Sequence, residues 1–79
     1  MAKYYLSIVH DRHVDPAYRL FRDVEAAVRH TRNEFRKAIS HPEYIIERSN
    51  PTWPPYIIWW SYDPAEDSAA VVELEAPDA

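Results

Sequence analysis

The sequence predicts an α+β fold in which an antiparallel sheet of three to five strands carries one long amphipathic helix on one face, in the order β-(β)-α-β-β-β. Two observations predict this fold. Apolar residues recur at three- and four-residue steps between Val24 and Ile39, which is the helical period. Short segments rich in aromatic and β-branched residues flank that stretch. A chain of 79 residues has room for one core, so residues 1–79 are expected to form a single small domain with 76–79 as a frayed tail.

The first predicted strand covers residues 3–10 (KYYLSIVH), which contain no helix breaker and many aromatic and β-branched side chains. Alternate side chains of a strand share a face. One face therefore carries Tyr4, Leu6 and Ile8, and the other carries Tyr5, Ser7 and Val9. Residues 11–16 (DRHVDP) are expected to form a turn or loop.

The helix has two possible starts in the sequence. Asp15 followed by Pro16 offers an N-cap with proline at the first helical position. Asp23 followed by an acidic first turn offers a second N-cap, and then residues 17–21 (AYRLF) form a short strand hairpinned to the first. We favour the start at Asp23, because the side chains of 17–21 also suit an extended segment. Pro42 ends the helix, because the residue before a proline avoids helical backbone angles.

The C-terminal half predicts three further strands. They cover residues 44–48, 56–62 (YIIWWSY) and 68–75, and a proline-rich connection (49–55) and a turn (63–67) separate them. The last two strands are expected to form a hairpin, with Val72 and Leu74 inward and Glu73 and Glu75 outward. The chain contains no glycine, so turns that need a positive φ are expected to use Asn or Asp. Glycine-dependent phosphate loops and dinucleotide-binding fingerprints are excluded for the same reason.

Composition narrows the functional classes. The net charge is −4, with +2 on residues 1–50 and −6 on residues 51–79, and the acidic C-terminal part argues against nucleic-acid binding there. The chain has no cysteine, which excludes disulfides and thiolate chemistry. It has no apolar run long enough to span a membrane and no signal peptide, so we expect a soluble cytoplasmic protein.

The segment 51–62 (PTWPPYIIWWSY) is the strongest candidate for a binding surface, because it holds all three tryptophans of the chain. Tyr56, Ile58, Trp60 and Tyr62 are expected on one face of its strand and Ile57 and Trp59 on the other, so both faces are apolar. One helix covers one face of a sheet, which leaves the other face available for a partner. The expected partner-binding residues are Trp53, Tyr56, Ile57, Trp59, Tyr62 and Tyr5. The alternative is that residues 51–55 and the tail fold over the uncovered face.

A second candidate is a basic stripe on the helix. At 100° per residue, Arg22, Arg29, Arg32 and Arg36 fall within an arc of about 80°. A basic stripe can contact phosphate, but Glu25 lies within it and partly neutralises it. We therefore favour a solvated helix face for these arginines.

The remaining motifs give weaker signals. His10, Asp11 and His13 combine imidazole and carboxylate, but strand geometry points His10 and His13 in opposite directions, so no metal site is expected. The R-x-x-P-x-x-P pattern from Arg48 to Pro54 matches polyproline ligands, but a proline-rich loop between strands explains it better. No nucleophile-and-base pattern is recognisable, so neither catalysis nor a cofactor is expected.

Together these features predict a small non-catalytic protein-interaction module, such as a regulator, accessory subunit or inhibitor. We expect it to bind a protein partner, itself, or both through an aromatic sheet face. The alternative function is a single-stranded nucleic-acid-binding protein that stacks bases on Trp53, Trp59 and Tyr62 and guides the backbone with the helix arginines.

Overall fold

The computed structural model describes residues 2–11, 15–49 and 55–76, and it confirms the predicted α+β fold. One helix packs against a single antiparallel sheet of five strands in the spatial order β2-β1-β5-β4-β3. The strands are β1 (Ala2–His10), β2 (Ala17–Phe21), β3 (Ile46–Ser49), β4 (Tyr56–Tyr62) and β5 (Asp67–Ala76). The helix α1 covers Val24–Ala38, and short 3-10 turns cover Pro42–Tyr44 and Asp63–Ala65. Ala76, expected in a frayed tail, ends β5, and residues 77–79 lie outside the described residues.

The helix begins at the second of its two possible starts. Asp23 has extended backbone angles, and its Oδ2 accepts a hydrogen bond of 3.1 Å from the backbone N–H of Ala26. That bond satisfies one of the four N–H groups that have no partner within the first turn of a helix. Residues 17–21 are thereby free to pair with β1 as the short strand β2. The proline at the other possible start lies outside the helix.

Small side chains at one crossing point set the position of the helix on the sheet. Ser7 in the middle of β1 is 2% exposed, and Ala27 and Thr31 on the facing side of α1 are both 0% exposed. The hydroxyl of Thr31 lies 2.7 Å from the carbonyl oxygen of Ala27 and 2.6 Å from the hydroxyl of Ser7. Because a carbonyl oxygen only accepts, the one proton of Thr31 goes to Ala27, and the Ser7 hydroxyl then donates to Thr31. Both buried hydroxyls are satisfied by this arrangement.

The crossing point decides which sheet face the helix covers. Ser7 lies opposite Arg19 of β2 and Val71 of β5, so those three residues share the helix-covered face. The core lies between that face and α1. Its buried members are Ala27, Phe35, Ile39, Ile58, Trp60, Tyr62, Ala69 and Val71. Val72 and Leu74 lie on the opposite face, where Val72 is buried at 7% exposed but Leu74 is 40% exposed, so the expectation that both point inward is wrong for Leu74. Glu73 and Glu75 lie on the helix-covered face, contrary to the expectation that they point outward.

A register shift in β4 also changes the predicted faces. Tyr56 pairs with Val72 and Ile58 pairs with the adjacent Val71, so one residue of β4, Ile57, is left over between them. Such a bulge reverses the alternation of side chains along the strand. Ile58, Trp60 and Tyr62 face the helix as a group, but Tyr56 lies on the other face with Trp59, 6.5 Å from its ring centroid. Ile57 packs against the core.

The turn between β4 and β5 uses a residue type that was not expected. Glu66 has φ 58° and ψ 29°, in the left-handed region, and it is the one positive-φ residue in the described part of the chain. Its N–H donates to the carbonyl oxygen of Asp63 at 3.3 Å. Asn, Asp or Gly visits this region more readily than Glu does, so the turn carries a local strain.

Replacement of Thr31 by valine should destabilise the protein. The change keeps the shape of the side chain but leaves the buried Ser7 hydroxyl without its acceptor, which costs about 1–3 kcal/mol. The double variant Ser7→Ala/Thr31→Val removes both hydroxyls and should be more stable than the sum of the two single changes implies. Urea unfolding of the four proteins measures the coupling energy. Additive effects would contradict the hydrogen bond.

Replacement of Glu66 by asparagine should stabilise the protein. Asparagine tolerates the left-handed conformation better, and we expect a gain of roughly 0.5 kcal/mol in the free energy of unfolding. Glu66→Gln is the matched control, because it removes the charge without gaining that tolerance. Equal effects of the two substitutions would show that charge, not backbone conformation, decides stability here.

Candidate functional site

The face of the sheet opposite the helix, called here the open face, is the candidate functional site. Residues paired across an antiparallel sheet point to the same side, so the strand registers define its members. One row of side chains crosses all five strands: Tyr18, Ile8, Ala70, Trp59 and Arg48. A second row consists of Leu20, Leu6, Val72 and Tyr56, and a third of Tyr4 and Leu74. His10, Ser68, Ser61 and Ile46 follow beyond the first row.

This surface collects the exposed apolar side chains of the protein. Within the described residues six large apolar side chains are exposed, and five of them lie on the open face. These five are Tyr18, Leu20, Ile46, Tyr56 and Leu74. Tyr44, the sixth, lies in the 3-10 turn that follows the helix. Single exposed apolar residues are ordinary on protein surfaces, but a continuous group on one sheet face marks an interaction site or a ligand groove.

The charge distribution across the sheet is the reverse of the usual pattern. None of the described strand residues on the open face is acidic, and Arg48 is the one strand residue there that carries a full charge. Arg22 reaches the margin of this face, with its guanidinium 5.4 Å from the ring centroid of Tyr4. The other charged strand residues lie on the helix-covered face: Lys3, Arg19, Glu47, Glu73, Glu75 and the buried Asp67. An antiparallel sheet with one solvated face normally carries its polar residues on that face.

The structure divides the predicted partner-binding residues between the two faces. Tyr56 and Trp59 lie together on the open face. Tyr5, Ile57 and Tyr62 pack on or against the core on the helix side, and their part in partner binding stays a prediction. Trp53 lies outside the described residues, as does most of the 51–55 loop that was considered as a cover.

Sequence reasoning missed the contributions of β1, β2, β3 and β5 to this surface. The missed residues are Tyr4, Leu6, Ile8, Tyr18, Leu20, Ile46, Val72 and Leu74. One signal was available in β1, because Ser7 is the one small side chain among large neighbours. A helix that presents Ala27 and Thr31 approaches a sheet most closely over such a small residue. That argument would have assigned Ser7 to the covered face and Leu6 and Ile8 to the open one.

The four arginines of the predicted basic stripe do not form one surface. Arg22 precedes the N-cap Asp23, so helical spacing does not apply to it, and it stacks on Tyr4. Arg32 is engaged on the helix side, where its Nε donates to Glu47 at 2.9 Å and its Cζ lies 6.0 Å from the ring centroid of Trp60. Arg36 lies with Arg32 at the same hollow beside Glu47, and Arg29 is exposed on the helix.

Glu47 joins three elements on the helix side. The same carboxylate oxygen, Oε1, accepts hydrogen bonds from Arg32 of α1 and from the indole N–H of Trp60 in β4. The hydrogen bond from Arg32 is the largest cause that lowers the pKa of Glu47 below its ordinary value of 4.5, and burial opposes it. This contact satisfies the polar atom of a tryptophan that is otherwise enclosed in the core.

The described part of the chain holds neither a metal-binding cluster nor a membrane-spanning helix. Within residues 2–11, 15–49 and 55–76, no group of three or more His, Cys, Asp or Glu side chains is arranged to hold a metal ion. His10 and Asp11 lie at the end of β1, whereas His13 falls outside those ranges. The helix within them is not long and apolar enough to cross a membrane.

Comparison with known proteins adds no functional information. No protein-family model matches the sequence, and neither a curated protein nor a solved structure is similar to the chain. The physical character of the open face is therefore the basis for proposing a function.

Replacement of Glu47 by glutamine should change the dependence of stability on pH. Because the folded-state pKa of Glu47 is lowered, its stabilising effect is complete above the ordinary value of 4.5 and is lost as the pH falls through the folded-state value. The side chain is 43% exposed, so we expect only a few tenths of a kcal/mol at neutral pH. Glutamine keeps an acceptor for Trp60. Urea unfolding of both proteins from about pH 7 to about pH 3 should show the difference shrinking below pH 4.5. A difference that stays constant would contradict this role.

Proposed function

We propose that this protein is a non-catalytic protein-interaction module of the cytoplasm that binds another polypeptide, a second copy of itself, or both through the open face of its sheet. The observation that carries this proposal is the concentration of exposed apolar side chains on a face that has no acidic strand residue among those described. The proposed contact residues are Tyr4, Leu6, Ile8, Tyr18, Leu20, Ile46, Tyr56, Trp59 and Leu74.

The energetics of this surface favour burial. Full burial of one leucine or aromatic side chain contributes roughly 1.5–3 kcal/mol relative to leaving it in water. Leu20 and Tyr18 are more than half exposed, so much of that contribution is still available to a partner. Tyrosine and tryptophan are also enriched in the residues that dominate the binding energy of protein interfaces.

Little on this surface opposes burial. The backbone groups of the three inner strands, β1, β5 and β4, are paired on both sides within the sheet, so a partner that covers the face contacts mainly side chains. A buried charge without a partner is costly. The two arginines at this surface lie at its margins, Arg48 on the edge strand β3 and Arg22 beside Tyr4, where each guanidinium keeps access to water.

The alternative function, binding of single-stranded nucleic acid, has weaker support. It requires exposed aromatic rings beside basic side chains. Tyr62 is buried in the core, and Arg32 is engaged with Glu47 on the helix side of the sheet. Arg29 and Arg36 belong to the helix, whereas Trp59 lies on the face that the helix does not cover.

Site-specific photo-crosslinking in cells tests the proposed surface. A benzophenone amino acid replaces either Tyr18 on the open face or Tyr44 in the 3-10 turn, and the two tyrosines are matched at 64% and 61% exposed. We expect discrete adducts with polypeptides from position 18 and only background from position 44, because specific contacts involve the open face. Denaturing gels and mass spectrometry identify the adducts.

The substitution Tyr18→Asp provides the complementary measurement. It should remove adducts formed from a second crosslinking position on the same face, Leu74, whereas Tyr44→Asp should leave them unchanged. Adducts that are absent at both positions, or equal at positions 18 and 44, would refute the proposed function.

A further inference from the structure

We infer that the occupant of the open face is a second copy of this chain, packed sheet against sheet around a two-fold axis. This inference rests on the proposed function and specifies its partner. It follows from three properties of the surface: its area, its charge and the side chains at its centre.

The area of the open face matches that of a stable dimer interface. The principal extents of the molecule are 42 × 26 × 17 Å, and the shortest suits one helix layer stacked on one sheet layer. The two longer extents bound a broad face of at most about 1,100 Å², which is large enough for a standard protein interface, since such an interface buries about 800 Å² from each partner. One further sheet of the same size therefore covers the open face completely.

The charge distribution permits two copies to meet through this face. The chain carries a net charge of −4, so association through most of its surface brings acidic groups together. The acidic strand residues Glu47, Glu73 and Glu75 all lie on the helix-covered side. In a face-to-face dimer they remain on the two outer surfaces, and no acidic strand residue of the described chain enters the interface.

The centre of the open face suits close approach of two sheets. β5 is the central strand, so a two-fold axis that runs between the two sheets over their centres places β5 of one protomer over β5 of its partner. The open-face residues of β5 include the small side chains Ser68 and Ala70, and larger apolar residues flank Ala70 on both neighbouring strands. Small residues at the centre and large ones around it allow two identical faces to interdigitate about 10 Å apart. The product is a four-layer helix–sheet–sheet–helix dimer.

Sedimentation equilibrium of the purified protein tests this inference. We expect wild type to be a dimer with a dissociation constant of roughly 1 μM or lower. The substitution Ala70→Glu places two like charges together at the axis and should weaken the dimer by about 100-fold or more. Ala26→Glu is the matched control, because Ala26 is also partly exposed but lies on the helix, where Glu at the third position suits the N-terminus. That variant should dimerise like wild type.

A second variant tests the same interface in case Ala70→Glu does not fold. Tyr18→Asp changes a largely exposed side chain on the edge strand β2 and should also weaken the dimer while leaving the circular dichroism spectrum unchanged. Wild type that stays monomeric at millimolar concentration would overturn the inference. So would a dimer that both Ala70→Glu and Tyr18→Asp leave intact.

These outcomes can be separated from failure of the proposed function. A monomeric wild type that still forms crosslinks from position 18 to other polypeptides in cells refutes the second copy but supports the interaction surface. A monomer without such crosslinks refutes both.

Discussion

The contact between Ser7 and Thr31 determines how the rest of the structure is arranged. Ser7, Ala27 and Thr31 are small, so the helix approaches β1 closely. The buried hydroxyls of Ser7 and Thr31 can therefore form a hydrogen bond. Because side chains alternate along a strand and align across a sheet, this one contact assigns nearly every strand residue to a face. The odd-numbered residues of β1 and β5 lie under or beside the helix, and the even-numbered ones lie on the open face.

This assignment explains why charged strand residues lie on the helix side. A helix of 15 residues is about 22 Å long and about 10 Å wide, so it covers the middle of the sheet but not its margins. Lys3, Glu73 and Glu75 lie toward one end of β1 and β5, where their charged groups reach water beside the helix. No helix of the described chain covers the open face, and yet its central residues are apolar. A solvated face would have the opposite composition.

The sequence was sufficient for the element order but not for the faces. Helical periodicity and the Asp23 cap located α1, and the aromatic and β-branched runs located five strands. Alternation shows which residues of a strand belong together, but it does not show which set meets the helix when both sets are apolar, as in β1 and β4. The bulge at Ile57 added a second difficulty. It places Tyr56 on the opposite face from the one that alternation predicts, and the strand contains no glycine or proline that would indicate a bulge. The sequence grouped Tyr62 with Ile58 and Trp60, as the structure does, but it left open which face of β4 meets the helix. It also grouped Ile57 with Trp59, and the bulge separates these two residues.

A partner bound to the open face would also stabilise the folded state of the chain. A chain of this length buries only about 60–65% of its unfolded surface, so its own core leaves a narrow margin of stability. Tyr18 and Leu20, on the edge strand β2, gain little from that core, since both remain largely exposed. A polypeptide that binds the folded open face and not the unfolded chain stabilises the fold by mass action, by about 2.7 kcal/mol at a hundredfold excess over its dissociation constant. Because β2 and β3 each have one neighbour in the sheet, they are the strands whose order depends most on such a partner. The apolar surface that binds the partner is therefore also the surface through which the partner stabilises the fold.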